Sequence, residues 1–192
     1  DEQPTAGAAT LPLVEIESEV GAVDCRVEIG VGEDHVRAFA AQLEREPLHR
    51  LGRRLLDELG CDVVVMGETA DGLFEHSPEP TAENLLGVLS TISAAGADAG
   101  FCQDPDADRL ALIDETGRYI GEEYTLAISG DFLLQKKHGL VVVNLSTSRM
   151  IEDLAAKYGS TVLRTPVGEI NVSSELIKRK GIFGGEGNGG VM

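Results

Sequence analysis

GLVVVNLSTSRMIEDLAAKYGSTVLRTPV, residues 139–167, carries the pattern that decides the fold. It opens with a continuous apolar run, which is typical of a strand buried on both faces of a parallel sheet. A helix-forming stretch at 147–159 follows, and a second apolar run at 160–167 comes after it. A helix between two such strands is a βαβ unit. The stretch therefore predicts an α/β fold whose ligand sites lie in loops beyond the carboxyl ends of the strands.

The same alternation extends in both directions. Further predicted elements, in chain order, are helices at 34–46 and 49–60, a strand at 61–68, a helix at 82–96, a strand at 97–103, a hairpin of 110–114 and 118–121, helices at 122–136 and 169–180, and a strand at 182–185. Weaker signals predict one or two short strands within 11–31. We therefore expect two consecutive three-layer α/β domains with mixed or mainly parallel sheets, at 34–121 and 122–192, after a lead-in at 1–33 from a preceding domain.

Composition excludes several classes of function. The 192 residues include 16 Lys and Arg against 33 Asp and Glu, which gives a formal net charge of −17. So acidic a chain would be repelled by nucleic acid and by anionic membranes, so we expect neither as a partner. Cys25, Cys61 and Cys102 form no CxxC pair. With no apparent leader or membrane span, this favours a reducing compartment, and we expect a cytoplasmic protein.

The loop QDPDADR, residues 103–109, is the most informative for chemistry. It follows a predicted strand, and Asp104, Asp106 and Asp108 alternate, so their carboxylates project to one side of an extended chain. A divalent cation would remove their mutual repulsion, and all-oxygen ligation selects Mg²⁺, Mn²⁺ or Ca²⁺ over zinc. Arg109 adds a planar fork of donors that suits a phosphate oxygen.

Three other interpretations of this loop compete with a metal site. It could be a solvated acidic turn. It also matches an EF-hand calcium loop at positions 1, 3, 5 and 12, where Glu115 would be the last ligand, but Arg109 stands where position 6 needs glycine. Finally, Asp104 could be an aspartyl nucleophile with Asp106 as its general acid, although that pattern includes neither Asp108 nor the arginine.

Four segments together suggest a family: DPDADRLALIDETGRYIGEEYTLA at 104–127, DGLFEHSPEPTAENL at 71–85, RTPVGEINV at 164–172 and GGEGNGG at 184–190. They resemble segments of the α-D-phosphohexomutases, the family of phosphoglucomutase, phosphomannomutase and phosphoglucosamine mutase. The resemblance covers about Leu51 to Met192 and implies domains two and three of a four-domain enzyme.

The resemblance implies an intramolecular phosphotransferase, an isomerase, acting on hexose phosphates. A phosphoserine donates its phosphoryl group, a bisphosphorylated sugar reorients, and a phosphoryl group returns to the serine. By the same resemblance, the Mg²⁺ ligands are Asp104, Asp106 and Asp108, and Arg109 assists catalysis at the transferring phosphate. Such chemistry needs positioning and charge neutralisation, which a metal and an arginine supply.

The resemblance also implies that the glycine-rich loop at 184–190 recognises the sugar. Glu186 resembles the family's carboxylate that accepts hydrogen bonds from two adjacent sugar hydroxyls, and Asn188 takes the place of a serine. Gly190 stands where many members carry a histidine, which leaves the general acid and base unassigned.

Glucosamine phosphate is an alternative substrate to glucose or mannose phosphate. A non-catalytic module that binds metal or sugar phosphate is the competing class of function.

Two features depart from the family pattern. The chain contains no serine loop of the Ser-His-Asn-Pro type, so the nucleophile is missing from it. In addition, EREPLHR, residues 44–50, would join one helix directly to the next. Either residues have been removed there, or the sheet of the family's second domain, which is 34–121 here, starts one strand short. We therefore expect a central portion of a larger enzyme, cut at both ends and inactive by itself.

Overall fold

A five-stranded mixed sheet forms the first half of the structure, a computed structural model that describes residues 37–41, 48–67 and 77–192. Its elements are β1 (Arg37–Ala41), α1 (Leu48–Glu58), β2 (Asp62–Met66), α2 (Leu86–Ala95), β3 (Ala99–Gln103), β4 (Leu110–Asp114) and β5 (Tyr119–Gly121). The strand order is β2-β1-β3-β4-β5. The first three strands are parallel, and β4 and β5 are antiparallel to their neighbours.

Helices cover both faces of this sheet. On one face, a Cβ at Gly100 of β3 would lie 2.5 Å from Cδ1 of Ile92, so the missing side chain lets α2 pack closely. Buried residues of α2, β3 and β4 form the core there. On the other face, Gln103 of β3 meets Gly52 of α1. Alternate residues of β3 therefore face different helices, as the pleat requires.

The helix predicted at 34–46 is wrong. Residues 37–41 of that stretch form β1, which pairs in parallel with β2 on one side and β3 on the other. The run Ala38-Phe39-Ala40 fits a helix or a strand locally, and pairing on two edges decides for the strand. The expectation that the domain at 34–121 lacks its first strand is therefore also wrong, because β1 lies inside the sheet. The rest of 34–46 falls outside the described residues.

A second sheet follows, and it is wholly parallel. Its elements are α3 (Glu122–Lys136), β6 (Leu140–Asn144), α4 (Met150–Lys157), β7 (Thr161–Thr165), α5 (Glu169–Arg179) and β8 (Phe183–Gly185). The strand order is β7-β6-β8. Val141 and Val143 of β6 belong to the core that contains residues of α3 and α4. Val142 faces the other way, with Leu176 of α5 on the same side.

The predicted α/β class, with helices on both sides of mixed or parallel sheets, is confirmed. Two helices begin later than predicted: α2 at Leu86, after a turn over Thr81–Leu85, and α4 at Met150. The short strands predicted within 11–31 lie outside the described residues. Among the helices of the described ranges, none is both long and apolar enough to cross a bilayer.

Candidate functional site

The loop between β3 and β4 folds the three predicted aspartates together. Asp104 stabilises the bend, since its Oδ1 accepts a 3.0 Å hydrogen bond from the backbone amide of Arg109, and its carbonyl accepts one from Ala107 at 3.0 Å. Ala107 adopts a left-handed φ of 60° at the tip. One carboxylate oxygen each from Asp104, Asp106 and Asp108 then lies within 4.8 Å of the other two.

The surroundings of this loop do not match an EF-hand. A calcium loop of that kind leads into a helix. Here the loop leads into strand β4, and Glu115, the candidate twelfth-position ligand, lies in the turn after that strand. In the ranges that the structure describes, the cluster of metal-ligating side chains contains the three aspartates and not Glu115.

The loop at 104–109, here called the aspartate loop, holds three carboxylates close to a single arginine. Asp104 is buried, whereas Asp106 and Asp108 are exposed. Arg109 Nε stands 3.6 Å from carboxylate oxygens of both Asp104 and Asp108, which is too far for hydrogen bonds, and within the described part of the chain this buried nitrogen has no hydrogen-bond partner. Three oxygen donors and an incompletely compensated charge fit a hard divalent cation.

Protonation of Asp104 would weaken the binding of such a cation. Burial, followed by the neighbouring carboxylates of Asp108 and Asp106, raises the pKa of Asp104 to about 6, although the amide of Arg109 acts in the opposite direction. A metal binds the deprotonated carboxylate and would displace this proton.

We therefore expect metal affinity to depend on pH around 6. Above that pKa, Asp104 is already ionised and the affinity is constant. Below it, each pH unit lowers the affinity by up to about tenfold, because one proton must leave for each ion bound. Calorimetric titrations with Mg²⁺ at pH 5, 6, 7 and 8, in two buffers of different ionisation enthalpy, measure both the affinity and the protons released. An affinity unchanged between pH 5 and pH 8 would contradict this account.

Glu186 lies just after β8 and is the second buried acidic group of the candidate site, with 9% of its surface exposed. Its Oε1 accepts hydrogen bonds from Asn144 Nδ2 at 2.6 Å and from the Gly168 amide at 3.0 Å. Its Oε2 has one weak contact in the described ranges, from Asn188 Nδ2 at 3.5 Å. Donors thus hold one carboxylate oxygen, and the other has acceptor capacity to spare.

The glycine-rich loop packs directly against the strand that leaves the aspartate loop. Gly189 has a φ of 93°, and a Cβ there would lie 2.6 Å from the carbonyl oxygen of Leu110. A Cβ at Gly190 would lie 3.6 Å from the carbonyl of Asp108. Only glycine combines this conformation with so close an approach. The structure therefore brings the two sets of predicted site residues, far apart in sequence, to one place.

Sequence reasoning missed three residues at this place. Asn144 is the last residue of β6 and Gly168 follows β7, and the rule that sites gather at the carboxyl ends of strands could have identified both. Glu79, whose Oε1 accepts a hydrogen bond from Arg109 at 3.2 Å, carried no comparable signal.

Fold and site together define a class: an α/β protein of two sheets in which a carboxylate cluster for a hard cation adjoins a glycine-rich loop with a buried acid. Sequence profiles make this specific. The phosphoglucomutase/phosphomannomutase α/β/α domain II profile matches residues 30–117, and the domain III profile matches 121–192. The chain belongs to the phosphoglucomutase/phosphomannomutase family and is a central part of such a protein.

Individual relatives agree with the profiles. The chain is 44% identical over 140 residues to a phosphoglucomutase/phosphomannomutase of Thermococcus kodakarensis and 36% identical over 137 residues to a probable phosphoglucosamine mutase of Methanopyrus kandleri. These matches cover 72% and 70% of this chain but 31% and 30% of the relatives. A phosphoglucomutase/phosphomannomutase family protein from Burkholderia thailandensis superposes with a TM-score of 0.73 at 26% identity, covering 82% of this chain and 35% of that one. The chain thus spans about a third of the length of these relatives.

Proposed function

We propose that the full-length protein is a Mg²⁺-dependent phosphohexomutase that moves a phosphoryl group between O1 and O6 of a hexose. The reaction would pass through a phosphoserine outside this chain and a bisphosphorylated sugar. Residues 34–121 would form the metal-binding domain and 122–192 the sugar-recognition domain. The observation that carries this proposal is the direct packing of Gly189 on Leu110, which puts the glycine-rich loop beside the aspartate loop.

The aspartate loop supplies the phosphate side of the proposed site. Asp104, Asp106 and Asp108 would hold Mg²⁺, which when bound neutralises charge on the oxygens of a transferring phosphoryl group. Arg109 is one third exposed, and its guanidinium has donors left after its bond to Glu79. We assign it to a phosphate oxygen, where a charge-assisted hydrogen bond is strong.

The glycine-rich loop supplies the sugar side. Glu186 Oε2 would accept hydrogen bonds from sugar hydroxyls, since Oε1 already has two donors. Asn188 is the neighbouring candidate, because its Nδ2 lies 3.5 Å from that same Oε2 and its amide can donate and accept.

Glucose and mannose phosphates are the proposed substrates, because the relative with 44% identity is named a phosphoglucomutase/phosphomannomutase. Glucosamine phosphate is the second candidate, because several relatives with 33–39% identity are named probable phosphoglucosamine mutases. We also propose a cytoplasmic location, because Cys25, Cys61 and Cys102 lie far apart in the sequence and form no CxxC pair, which suits a reducing compartment.

Turnover by the full-length protein tests this proposal. We expect conversion of glucose 1-phosphate or mannose 1-phosphate to the 6-phosphate in the presence of Mg²⁺ and a bisphosphorylated activator, and loss of conversion with a chelator. Faster conversion of glucosamine 1-phosphate would select the second substrate. Binding of hexose phosphates without conversion of any of them would favour a non-catalytic binding module.

A further inference from the structure

The side chain of Asn144, at the carboxyl end of β6, is fixed in one orientation. Its Oδ1 accepts hydrogen bonds from the backbone amides of Ser146 and Thr147 at 3.1 and 3.0 Å. The hydroxyls of the same two residues donate to it at 2.9 and 2.8 Å. Because a backbone amide can only donate, a flipped side chain would set its own NH₂ against two donors. The Nδ2 group therefore points away from this loop.

Glu186 lies where Nδ2 points. The 2.6 Å hydrogen bond between Asn144 Nδ2 and Glu186 Oε1 joins two buried side chains, which are 2% and 9% exposed. A hydrogen bond to a charged acceptor in a dry environment is strong, and losing it leaves a buried carboxylate short of a donor. The orientation of this carboxylate is thus set by an amide whose own orientation is set by the backbone.

We infer that Asn144 is a positioning residue that acts through Glu186, holding Oε1 so that Oε2 is presented to the ligand. The inference rests on the proposed function insofar as Glu186 binds the sugar. Asn144 needs no contact with the ligand in this role. It connects the loop after β6 to the sugar-recognition loop after β8.

Other groups hold the loop after β6 independently of the Asn144 side chain. Arg164 donates to the carbonyls of Asn144 and Thr147 at 3.1 and 2.7 Å. On the α3 side, Glu123 Oε1 accepts a hydrogen bond from the backbone amide of Ser148 at 2.8 Å. Arg164 is itself paired with Glu152, and Glu123 also lies against Gly187, the residue after Glu186. A substitution that changes only the Nδ2 group should therefore leave the loop in place.

Asn144→Asp in the full-length protein makes this single change. Aspartate keeps an Oδ1 for the four donors and replaces Nδ2 with an oxygen that faces Glu186. We expect kcat/KM for the hexose phosphate to fall at least about 30-fold at pH 8, since the lost donor is replaced by a repelling charge. The loss should shrink toward pH 6, because two facing carboxylates share a proton and a protonated acid is again a donor.

Gln135→Glu is the matched control. Gln135 donates from Nε2 to Asp131 Oδ2 at 2.8 Å on the exposed surface of α3, so the variant makes the same amide-to-acid change opposite a carboxylate. We expect its kcat/KM to equal that of the parent at every pH. In a Glu186→Gln background, Asn144→Asp should cost less than about threefold, because no carboxylate remains to be repelled.

Each outcome decides the inference. A pH-dependent loss that disappears in the Glu186→Gln background supports it. An Asn144→Asp variant within threefold of the parent, or one with the same loss at all pH values and in both backgrounds, overturns it while the proposed function stands. A parent protein that converts no hexose phosphate overturns the proposed function and this inference with it.

Discussion

Asp106→Asn is expected to weaken Mg²⁺ binding by at least about 100-fold and to remove nearly all hexose phosphate conversion. Even groups that only orient a metal ligand are worth about 10- to 100-fold in affinity, and Asp106 is one of three oxygen donors that converge within 4.8 Å. Asparagine keeps the shape and one oxygen but removes the charge that a hard cation needs. Calorimetric titration of Mg²⁺ and steady-state turnover measure the two effects.

The unfolding temperature of the metal-free protein distinguishes a loss of folding from a loss of Mg²⁺ binding in Asp106→Asn. The metal-free Asp106→Asn protein should unfold at the same or a higher temperature than the parent, because one of three mutually repelling charges is gone. Asp153→Asn, at an exposed aspartate in the first turn of α4, is the matched control and should leave affinity and turnover unchanged. Unchanged Mg²⁺ affinity in Asp106→Asn would contradict the assignment of the aspartate loop.

The second large effect is expected from Glu186→Gln, which should lower kcat/KM for the hexose phosphate by about 100-fold or more. The glutamine carbonyl can take the place of Oε1 and keep the hydrogen bonds from Asn144 and Gly168. Its NH₂ group then takes the place of Oε2 and presents a donor where the sugar hydroxyls need an acceptor. Losing hydrogen bonds to a charged group costs about 1.5–3 kcal/mol each.

Stability again provides the check. Glu186 is buried, and no Lys or Arg forms an ion pair with it in the ranges that the structure describes, so neutralising it should not lower the unfolding temperature. Glu175→Gln, at a surface glutamate of α5 that pairs with Lys178 and Arg179, is the control and should retain full turnover. If the activity of Glu186→Gln equals that of the parent, Glu186 does not read the sugar.

The periodic elements were predictable because their patterns are strong and local. The apolar run of β6 and the two short strands of the predicted hairpin, now β4 and β5, each mark elements that the structure contains. Ends were less predictable: α2 begins four residues after its expected start, at Leu86, because Thr81–Leu85 close a separate turn. A threonine such as Thr81 can accept a backbone hydrogen bond at the start of a turn as well as at the start of a helix, so the local sequence does not distinguish the two.

The error at β1 has a different cause. Five residues cannot show whether their period is that of a helix or of a strand, and Ala38 and Phe39 suit both. The strand forms because β2 and β3 provide hydrogen-bonding partners on both sides. Those partners begin at Asp62 and Ala99, so the information that decides this segment is distant in sequence.

The sequence by itself determined the α/β class and the aspartate triad, because alternating apolar runs and alternating carboxylates act over a few neighbouring residues. Tertiary structure alone decided that β1 is a strand, that the glycine-rich loop comes beside the aspartate loop, and that Asn144 holds the carboxylate of Glu186. Asn144 and Glu186 are 42 positions apart and meet at 2.6 Å because β6 and β8 are adjacent parallel strands that end at the same edge of one sheet. Strand pairing over such distances depends on the whole packed sheet, and no local pattern encodes it.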